Sequence, residues 1–132
     1  MAGKKLLVVD DDTDIVRAMH IRLRAHGYQV VLAPDAVAAI STARAERPDL
    51  IILDIGLPGG DGFVVLERLK GVSELALIPV IVLSARHPIP NRDQALHAGA
   101  LAFFQKPVDI DEFLAAIRKA LGEPRQTEWT RT

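Results

Sequence analysis

The segment Lys5-Leu6-Leu7-Val8-Val9-Asp10-Asp11-Asp12 places a short, mostly apolar run directly before three aspartates. Runs of about five residues that are apolar on both faces are typical of fully buried parallel strands. Four more runs of this kind follow, so that the predicted strands are residues 5–9, 29–33, 50–53, 79–83 and 101–105. The sequence therefore predicts five strands, the first of which ends at a cluster of carboxylates.

A stretch with helical periodicity follows each predicted strand. The first stretch has Ile15, Met19 and Leu23 on one face and ends at Gly27. The second helix is predicted to have an apolar face of Val37, Ile40 and residues 43–45, and the third a face of Val65, Leu66 and Leu69. The fourth helix is predicted as a short one over residues 91–98. The apolar face of the fifth is predicted to consist of Phe113, Ile117 and Leu121. Asp109 and Glu112 open the last helix in capping-box spacing, and Pro88 and Pro90 are expected in the loop before the fourth. Strands that alternate with helices predict one α/β domain with a parallel sheet and helices on both faces.

Composition limits the classes of function. The chain has 132 residues, about one domain, and we expect residues 1–122 to form it and residues 123–132 to be a tail or the start of a linker. The formal net charge is -1, so no basic field favours nucleic acid or an anionic membrane. The absence of cysteine excludes disulfides, thiolate catalysis and zinc–cysteine sites. The first apolar run is too short for a signal peptide or a spanning helix, and we expect a cytoplasmic protein.

Polar residues that could carry chemistry stand at the ends of the predicted strands. Asp10 and Asp11 follow the first strand, Asp54 the third, Ser84 the fourth and Lys106 the fifth. Because ligands of open α/β sheets bind at the carboxyl ends of the strands, we expect these side chains to lie together. Clustered carboxylates suit Mg²⁺ or Mn²⁺, and an added ammonium and hydroxyl suit a phosphoryl group. Asp54 is then a candidate nucleophile that would form an acyl phosphate.

Each of these residues has an ordinary structural explanation when it is considered alone. The aspartates at positions 10–14 can cap the first helix, and Asp54 is a common type of turn residue. Ser84 can bond to nearby backbone, and a lone lysine such as Lys106 is usually solvated. Their joint occurrence at the ends of four predicted strands favours a functional site over these separate explanations.

The chain resembles the receiver domain of bacterial two-component response regulators from about Lys4 to Leu121. Five segments in order carry the resemblance: 7–12 (LVVDDD), 53–62 (LDIGLPGGDG), 82–85 (VLSA), 98–100 (AGA) and 103–107 (FFQKP). Each segment is weak alone, and together at these spacings they are highly specific. The resemblance implies a flavodoxin-like (βα)5 fold whose five-stranded parallel sheet has the order 2-1-3-4-5.

The resemblance also implies a role for each acidic residue of the predicted site. It makes Asp54 the phospho-acceptor and implies that Asp10, Asp11, Asp54 and the backbone carbonyl of Gly56 hold Mg²⁺ (or Mn²⁺). Gly56 and Arg86 stand at the two positions that tune the lifetime of the phosphoryl group in this family. We expect Gly56 to leave the phosphorus open to water, whereas Arg86 could shield it or pair with it.

Four further residues have roles that the resemblance implies. Ser84 and Lys106 are expected to bind the phosphoryl group, and Phe103 is expected to be the switch aromatic. The peptide bond before Pro107 is expected to be cis. Phosphorylation would then change the surface formed by helix four, strand five and helix five, which partners recognise.

The partners that the resemblance implies are a sensor histidine kinase or a phosphotransfer domain as donor, and an effector protein or domain as target. We expect no turnover enzyme, because the domain would promote only its own phosphorylation and dephosphorylation. A homodimer of the phosphorylated form is possible. The sequence leaves open whether the chain acts alone or belongs to a larger regulator or hybrid kinase.

Three alternative functions receive less support. A phosphatase of the haloacid dehalogenase type needs a second aspartate two residues after its nucleophile, where this chain has Gly56. A phosphorylation-independent interaction module on the same fold usually lacks part of the acidic pair, the acceptor or the lysine, all of which are present. A flavodoxin-like cofactor binder needs a phosphate loop rich in Ser, Thr or Gly after the first strand, which is missing.

Overall fold

The computed structural model describes residues 3–56, 62–85 and 88–123, and only the backbone of residues 88–90. The strands in these ranges are β1 (Lys5–Val9), β2 (Gln29–Ala33), β3 (Leu50–Asp54), β4 (Val80–Ser84) and β5 (Ala102–Gln105). The helices are α1 (Thr13–Ala25), α2 (Ala36–Glu46), α3 (Gly62–Gly71), α4 (Pro88–His97) and α5 (Ile110–Ala120). All strand pairs are parallel, and the sheet order β2-β1-β3-β4-β5 confirms the predicted fold class.

Helices cover both faces of the sheet, which explains why the strands are apolar on both faces. Along β1, Leu7 and Val9 face a core that α2, α3 and α4 complete. Leu6 and Val8 face a second core that α1 and α5 complete. Since successive side chains of a strand point to opposite faces, one five-residue run contributes to both cores.

Aspartate side chains cap the starts of α1, α2 and α5. The Asp12 carboxylate accepts hydrogen bonds from the backbone N–H groups of Asp14 and Ile15 at the start of α1. The Asp109 carboxylate accepts one from the N–H of Glu112 at 3.0 Å, which confirms the predicted start of α5. These bonds satisfy N–H groups that have no partner within the helix.

The limits of several elements differ from the prediction. β3 and β4 extend to Asp54 and Ser84, so that both side chains belong to the last residue of a strand. The prediction that Pro88 and Pro90 precede the fourth helix was wrong, since α4 begins at Pro88. Proline is tolerated in the first turn because the N–H groups there have no intrahelical acceptor.

The apolar face of α2 was predicted only in part. Val37 is exposed, and the buried residues are Ala39, Ile40 and Ala43. Val37 has helical spacing with Ile40, and so does Ala43. Periodicity alone therefore could not decide whether the face with Val37 or the face with Ala39 and Ala43 is buried. The small side chains of Ala39 and Ala43 allow the helix to pack closely against the sheet. None of the helices among the described residues has the length and apolar character needed to cross a bilayer.

Candidate functional site

Three carboxylates meet at the carboxyl ends of the central strands. One carboxylate oxygen from each of Asp10, Asp11 and Asp54 lies within 4.8 Å of those of the other two. Asp10 follows β1 and Asp54 ends β3, and both residues are buried, whereas Asp11 is exposed. β1 and β3 are parallel neighbours, so their carboxyl ends coincide, which explains how residues 44 positions apart meet. The predicted acidic cluster is therefore present and has one side towards solvent.

The ammonium group of Lys106 joins the two buried carboxylates. Its Nζ lies 2.8 Å from Asp10 Oδ2 and 3.2 Å from Asp54 Oδ2. The exposed fractions of the three side chains are only 12%, 1% and 9% for Lys106, Asp10 and Asp54. The Lys106 N–H donates to the Ser84 carbonyl at 2.8 Å, which extends the β4–β5 pairing to the site. Lys106 is thus positioned by a backbone hydrogen bond as well as by the ion pairs of its ammonium group.

Backbone N–H groups orient the same two carboxylates. Asp10 Oδ1 accepts from the N–H of Asp12 at 2.9 Å, and Asp54 Oδ1 accepts from the N–H of Gly56 at 3.0 Å. Each carboxylate therefore has one oxygen bonded to the backbone and the other to Lys106. A carboxylate oxygen has two lone pairs, so each oxygen keeps capacity for another ligand.

Burial shifts the protonation equilibria in the cluster. Desolvation raises the pKa of Asp10 above its ordinary value, although the hydrogen bond from Lys106 acts in the opposite direction. Desolvation alone would lower the pKa of Lys106, but its contacts with Asp10 and Asp54 outweigh that effect and the pKa is raised. The lysine is therefore fully charged at neutral pH, and the ionised form of Asp10 is destabilised relative to a carboxylate in water.

The donor set fits a hard divalent cation. All three candidate side chains offer carboxylate oxygen, which Mg²⁺ and Mn²⁺ prefer. Three ionised carboxylates and one lysine carry a net charge of -2, which one divalent cation would neutralise. The exposed carboxylate of Asp11 gives such an ion a route from solvent.

Two further candidate residues lie on β4 and β5. Val82 pairs with Phe103, and both pack in the core that contains α3 and α4. Ser84 is buried and, two residues beyond Val82, belongs to the same face of the sheet. Phe104 faces the opposite core, where its ring meets Phe113 edge to face at 5.5 Å.

Three of the remaining predictions concern the loops beside the site. The Lys106–Pro107 peptide bond is cis, as the resemblance implied. Arg86 lies outside the described residues. Gly56 is described, and a Cβ atom there would lie 3.6 Å from Asp54 Oδ1, so any larger side chain would begin beside the candidate acceptor.

Gly62 is a residue whose importance sequence reasoning missed. It begins α3, and its N–H donates to the Ile55 carbonyl at 3.1 Å. A Cβ atom at this position would overlap the backbone of Ile55, which lies between Asp54 and Gly56. Gly62 ends segment 53–62, which carries part of the family resemblance, and it begins a helix, but neither signal reveals which backbone approaches it.

Comparison with curated proteins finds relatives across most of the chain. The model of the response regulator receiver domain matches residues 6–118. The transcriptional regulatory protein KdpE of Mycobacterium tuberculosis is 45% identical over 116 residues, which are 88% of this chain and 50% of KdpE. Sporulation initiation phosphotransferase F of Bacillus subtilis is 36% identical over 121 residues, which are 92% of this chain and 96% of that protein. The chain thus spans about half the length of KdpE and nearly all of the sporulation protein.

A solved structure has the same architecture. The receiver domain of a sensor histidine kinase from Pseudomonas aeruginosa superposes with a TM-score of 0.84 at 28% sequence identity. The match covers 92% of this chain and 100% of that domain. That structure has a magnesium ion coordinated in its active-site cleft.

Proposed function

The chain belongs to the family of response regulator receiver domains, and on that basis we propose that it is a phosphorylation-activated switch with Asp54 as acceptor. The observation that carries this proposal is the buried Lys106, whose ammonium bridges Asp10 and Asp54 at 2.8 and 3.2 Å. A structural ion pair needs one carboxylate, whereas here one lysine contacts two, and a third carboxylate, that of Asp11, lies beside them. Such an excess of negative charge is retained where a cation and a phosphoryl group bind.

Asp54 is the proposed nucleophile because it stands at the position of the phospho-acceptor in the family that the chain resembles. Its two oxygens are held by the Gly56 N–H and by Lys106, so the carboxylate has one defined orientation. A carboxylate oxygen forms a bond to phosphorus while the P–N bond of a phosphohistidine donor breaks and the imidazole leaves with the electron pair. The product is an acyl phosphate on Asp54, and no proton has to leave the acceptor.

Asp10, Asp11, Asp54 and the backbone carbonyl of Gly56 are the residues that would hold Mg²⁺ or Mn²⁺. The cation, when bound, offsets negative charge on the phosphoryl oxygens and on the carboxylates. The oxygen-only donor set of the three aspartates supports this assignment, as does the magnesium ion in the related receiver domain.

Lys106 and Ser84 are the proposed phosphoryl ligands. The Lys106 ammonium already bonds to Asp54 Oδ2, so a phosphoryl group on Asp54 would form within reach of the same cation. Ser84 ends the strand beside β3 and supplies a hydroxyl donor on the face that also holds Phe103. Charge on the phosphoryl group would thus be met by an ammonium and a hydroxyl from two adjacent strands.

The proposed switch is a population shift between two states of β4, β5 and α4. Movement of Ser84 towards the phosphoryl group leaves space that Phe103 fills by rotating inward. The partial burial of Phe103 against the core under α3 and α4 supports this role. Phe103 has no hydroxyl, so its position depends on packing. The surface of α4, β5 and α5 would then change and be recognised by an effector or by a second copy of the domain.

Gly56 and Arg86 are the proposed determinants of phosphoryl lifetime. The Gly56 position is exposed, and its Cβ would contact Asp54 Oδ1, so the absence of a side chain leaves that side of the carboxylate open to water. We propose that Gly56 shortens the lifetime. For Arg86, which lies outside the described residues, both shielding and pairing remain proposals.

The proposed partners follow from this chemistry. The donor is a sensor histidine kinase or a phosphotransfer domain, and the target is an effector protein or domain in the cytoplasm. The chain would act on its own acyl phosphate alone and would not turn over an external substrate. A domain of this kind functions alone or as part of a larger regulator, and its relatives include both lengths.

Intact-mass spectrometry after incubation with acetyl phosphate and Mg²⁺ tests the proposal. We expect the addition of one phosphoryl group, which requires the metal and is removed by hydroxylamine, as an acyl phosphate should be. The Asp54→Asn variant should gain nothing, whereas Asp93→Asn, which alters an exposed aspartate on α4, should label like the wild type.

Two outcomes would contradict the proposal. Equal labelling of Asp54→Asn would place the phosphoryl group on another residue. An unlabelled wild-type protein, with a known receiver domain labelling in parallel and with cognate donors also tried, would favour a phosphorylation-independent interaction module.

A further inference from the structure

A groove of about 600 Å³ lies between α1 and β2. Its helix wall is one stripe of α1 at helical spacing: Thr13, Val16, Arg17, His20 and Ile21. Leu32 and Pro34 form part of the opposite wall. Ile21 is 63% exposed and Leu32 is 44% exposed, so two large apolar side chains face this groove without cover. Asp10 and Asp11 line the end of the groove that adjoins the acidic cluster, whereas Ile21 and Leu32 form an apolar part farther along it.

The groove lies beside an open edge of the sheet. β2 is the first strand in the sheet order, and among the described residues its backbone pairs only with β1. The outer edge of such a strand offers N–H and C=O groups to another extended segment, and proteins commonly cover it. An extended segment with one large apolar side chain is therefore the occupant that fits both the edge and the groove.

The end of α5 brings the chain to the start of β2, the strand that forms one wall of the groove. Gly122, with φ of 72°, closes the helix in a Schellman motif, in which the N–H of Glu123 donates to the Arg118 carbonyl at 2.8 Å. The buried Tyr28 hydroxyl then donates to Glu123 Oε1 at 2.7 Å. Because Tyr28 immediately precedes β2, the chain leaves Glu123 at the start of the edge strand.

The segment after Glu123 has the length and composition to reach and fill the groove. Leu32 is four residues beyond Tyr28, about 13 Å along a strand. Trp129 is six residues beyond Glu123, about 20 Å of extended chain. Residues 124–132, which lie outside the described ranges, contain the single tryptophan of the protein and no other large apolar side chain.

A second groove on the other side of α1 is a poorer match. It has about 260 Å³ and is lined by Met19, Leu83 and Val108 among others. Two of its apolar side chains, Met19 and Leu83, are already buried, whereas Ile21 and Leu32 of the larger groove are exposed. The larger groove has more than twice the volume of the second and therefore accommodates an indole ring more readily.

We propose that residues 124–132 bind along the groove between α1 and β2, with Trp129 against Ile21 and Leu32. The interaction is intramolecular and does not depend on phosphoryl transfer at Asp54. It covers the apolar groove and lies across the open edge of the sheet.

Fluorescence of the single tryptophan tests this directly. The reference is a synthetic peptide of residues 123–132, whose Trp129 is fully solvated. In the whole protein we expect a blue-shifted emission maximum and a several-fold lower iodide quenching constant than in the peptide. The combined change Ile21→Gln and Leu32→Thr should return both values towards those of the peptide, because it removes the apolar walls at exposed positions. Leu77→Gln, at a nearly fully exposed leucine outside the groove, should change neither.

Three outcomes would overturn the proposal. Emission and quenching equal to those of the peptide would mean that Trp129 is not covered. A blue shift that survives Ile21→Gln and Leu32→Thr would place the tryptophan elsewhere. A blue shift that disappears on dilution would mean that a second copy, and not the chain itself, covers it. Circular dichroism of each variant verifies that the fold is retained.

Discussion

The two ends of the sheet use charge in opposite ways. At the carboxyl ends, Lys106 bridges Asp10 and Asp54 with all three side chains nearly buried. At the amino end, Lys5 contacts Glu46 at 3.2 Å while their side chains remain 30% and 40% exposed. The distances are similar, but the solvation of the charges is not.

The difference in solvent exposure indicates that the two ion pairs have different roles. Taking ions out of water costs several kcal/mol each, and a buried pair is often no more stabilising than apolar residues of the same volume. Exposed pairs contribute roughly 0–1 kcal/mol and cost little to keep. A buried cluster with more carboxylates than cations is thus better explained by binding chemistry than by stability.

The largest effect should follow from Lys106→Met, which removes the only cation that contacts Asp10 and Asp54 among the described residues. We expect a loss of about 3 kcal/mol in the free energy of unfolding, because two buried carboxylates remain without a cation. Urea denaturation in the presence of a chelator measures this value. Lys5→Met at the amino end is the matched control, with an expected loss below about 1 kcal/mol.

Added Mg²⁺ should restore part of the stability of Lys106→Met, because a cation bound to the folded state alone stabilises it. It should leave the loss caused by Lys5→Met unchanged. Equal losses for the two variants would remove the distinction between the two ends of the sheet.

Gly62→Ala should give the next largest effect, at the base of the loop after Asp54. The added Cβ overlaps the Ile55 backbone, and we expect a loss of about 2 kcal/mol together with weaker Mg²⁺ binding. Gly71→Ala, at the other end of the same helix, meets nothing within 4 Å and should change neither property. Calorimetric Mg²⁺ titration with urea denaturation separates the two effects. Unchanged Mg²⁺ affinity in a destabilised Gly62→Ala would show that the glycine supports the fold alone.

Tyr28→Phe should have a smaller effect at the amino end. It removes the hydrogen bond to Glu123 and keeps the packing of the ring, so we expect a loss of about 1 kcal/mol by urea denaturation. Glu123→Gln, which keeps an acceptor oxygen, should lose less. If Glu123→Gln lowers the free energy of unfolding as much as Tyr28→Phe does, the charge of Glu123 contributes more than its hydrogen bond with Tyr28.

The same tyrosine adds a pH dependence. Burial, and then Glu123, raise the pKa of Tyr28 in the folded protein above its ordinary value of 10.0. The unfolded chain therefore loses this proton first, and the stability due to Tyr28 decreases as the pH rises above 10.0. The difference in stability between wild type and Tyr28→Phe should shrink over that range.

The smallest effect should come from the exposed pair of Arg47 and Glu74, which are 3.0 Å apart. Glu74→Gln should change the free energy of unfolding by no more than about 0.5 kcal/mol, since solvent screens both charges. Thermal denaturation at low and high salt checks this value. A larger, salt-dependent loss would show that surface charge at this end is more important than its exposure indicates.

Much of the fold could be predicted because its signals are local. Short apolar runs predicted the strands, and Asp109 with Glu112 predicted the start of α5. The meeting of Asp10, Asp54 and Lys106 was also predictable, because parallel strands share one carboxyl end and each residue stands at such an end.

Other features could not be predicted because they depend on distant contacts. Val37 has the same helical spacing as the buried residues of α2, and only packing against the sheet selected Ala39 and Ala43. The overlap that excludes a side chain at Gly62 involves Ile55 across a loop. No sequence pattern near Tyr28 predicts its hydrogen bond to Glu123, which is 95 positions away.

The sequence by itself determined the order of the elements, the sheet edge at which polar residues gather and the chemistry that their types allow. These properties follow from periodicity and from the residues that end each strand. Tertiary structure alone decided that Lys106 lies 2.8 Å from Asp10 across 96 positions of the chain, and that both are removed from water. Distance and burial set the strength of a charge interaction, and both arise only when distant segments pack together.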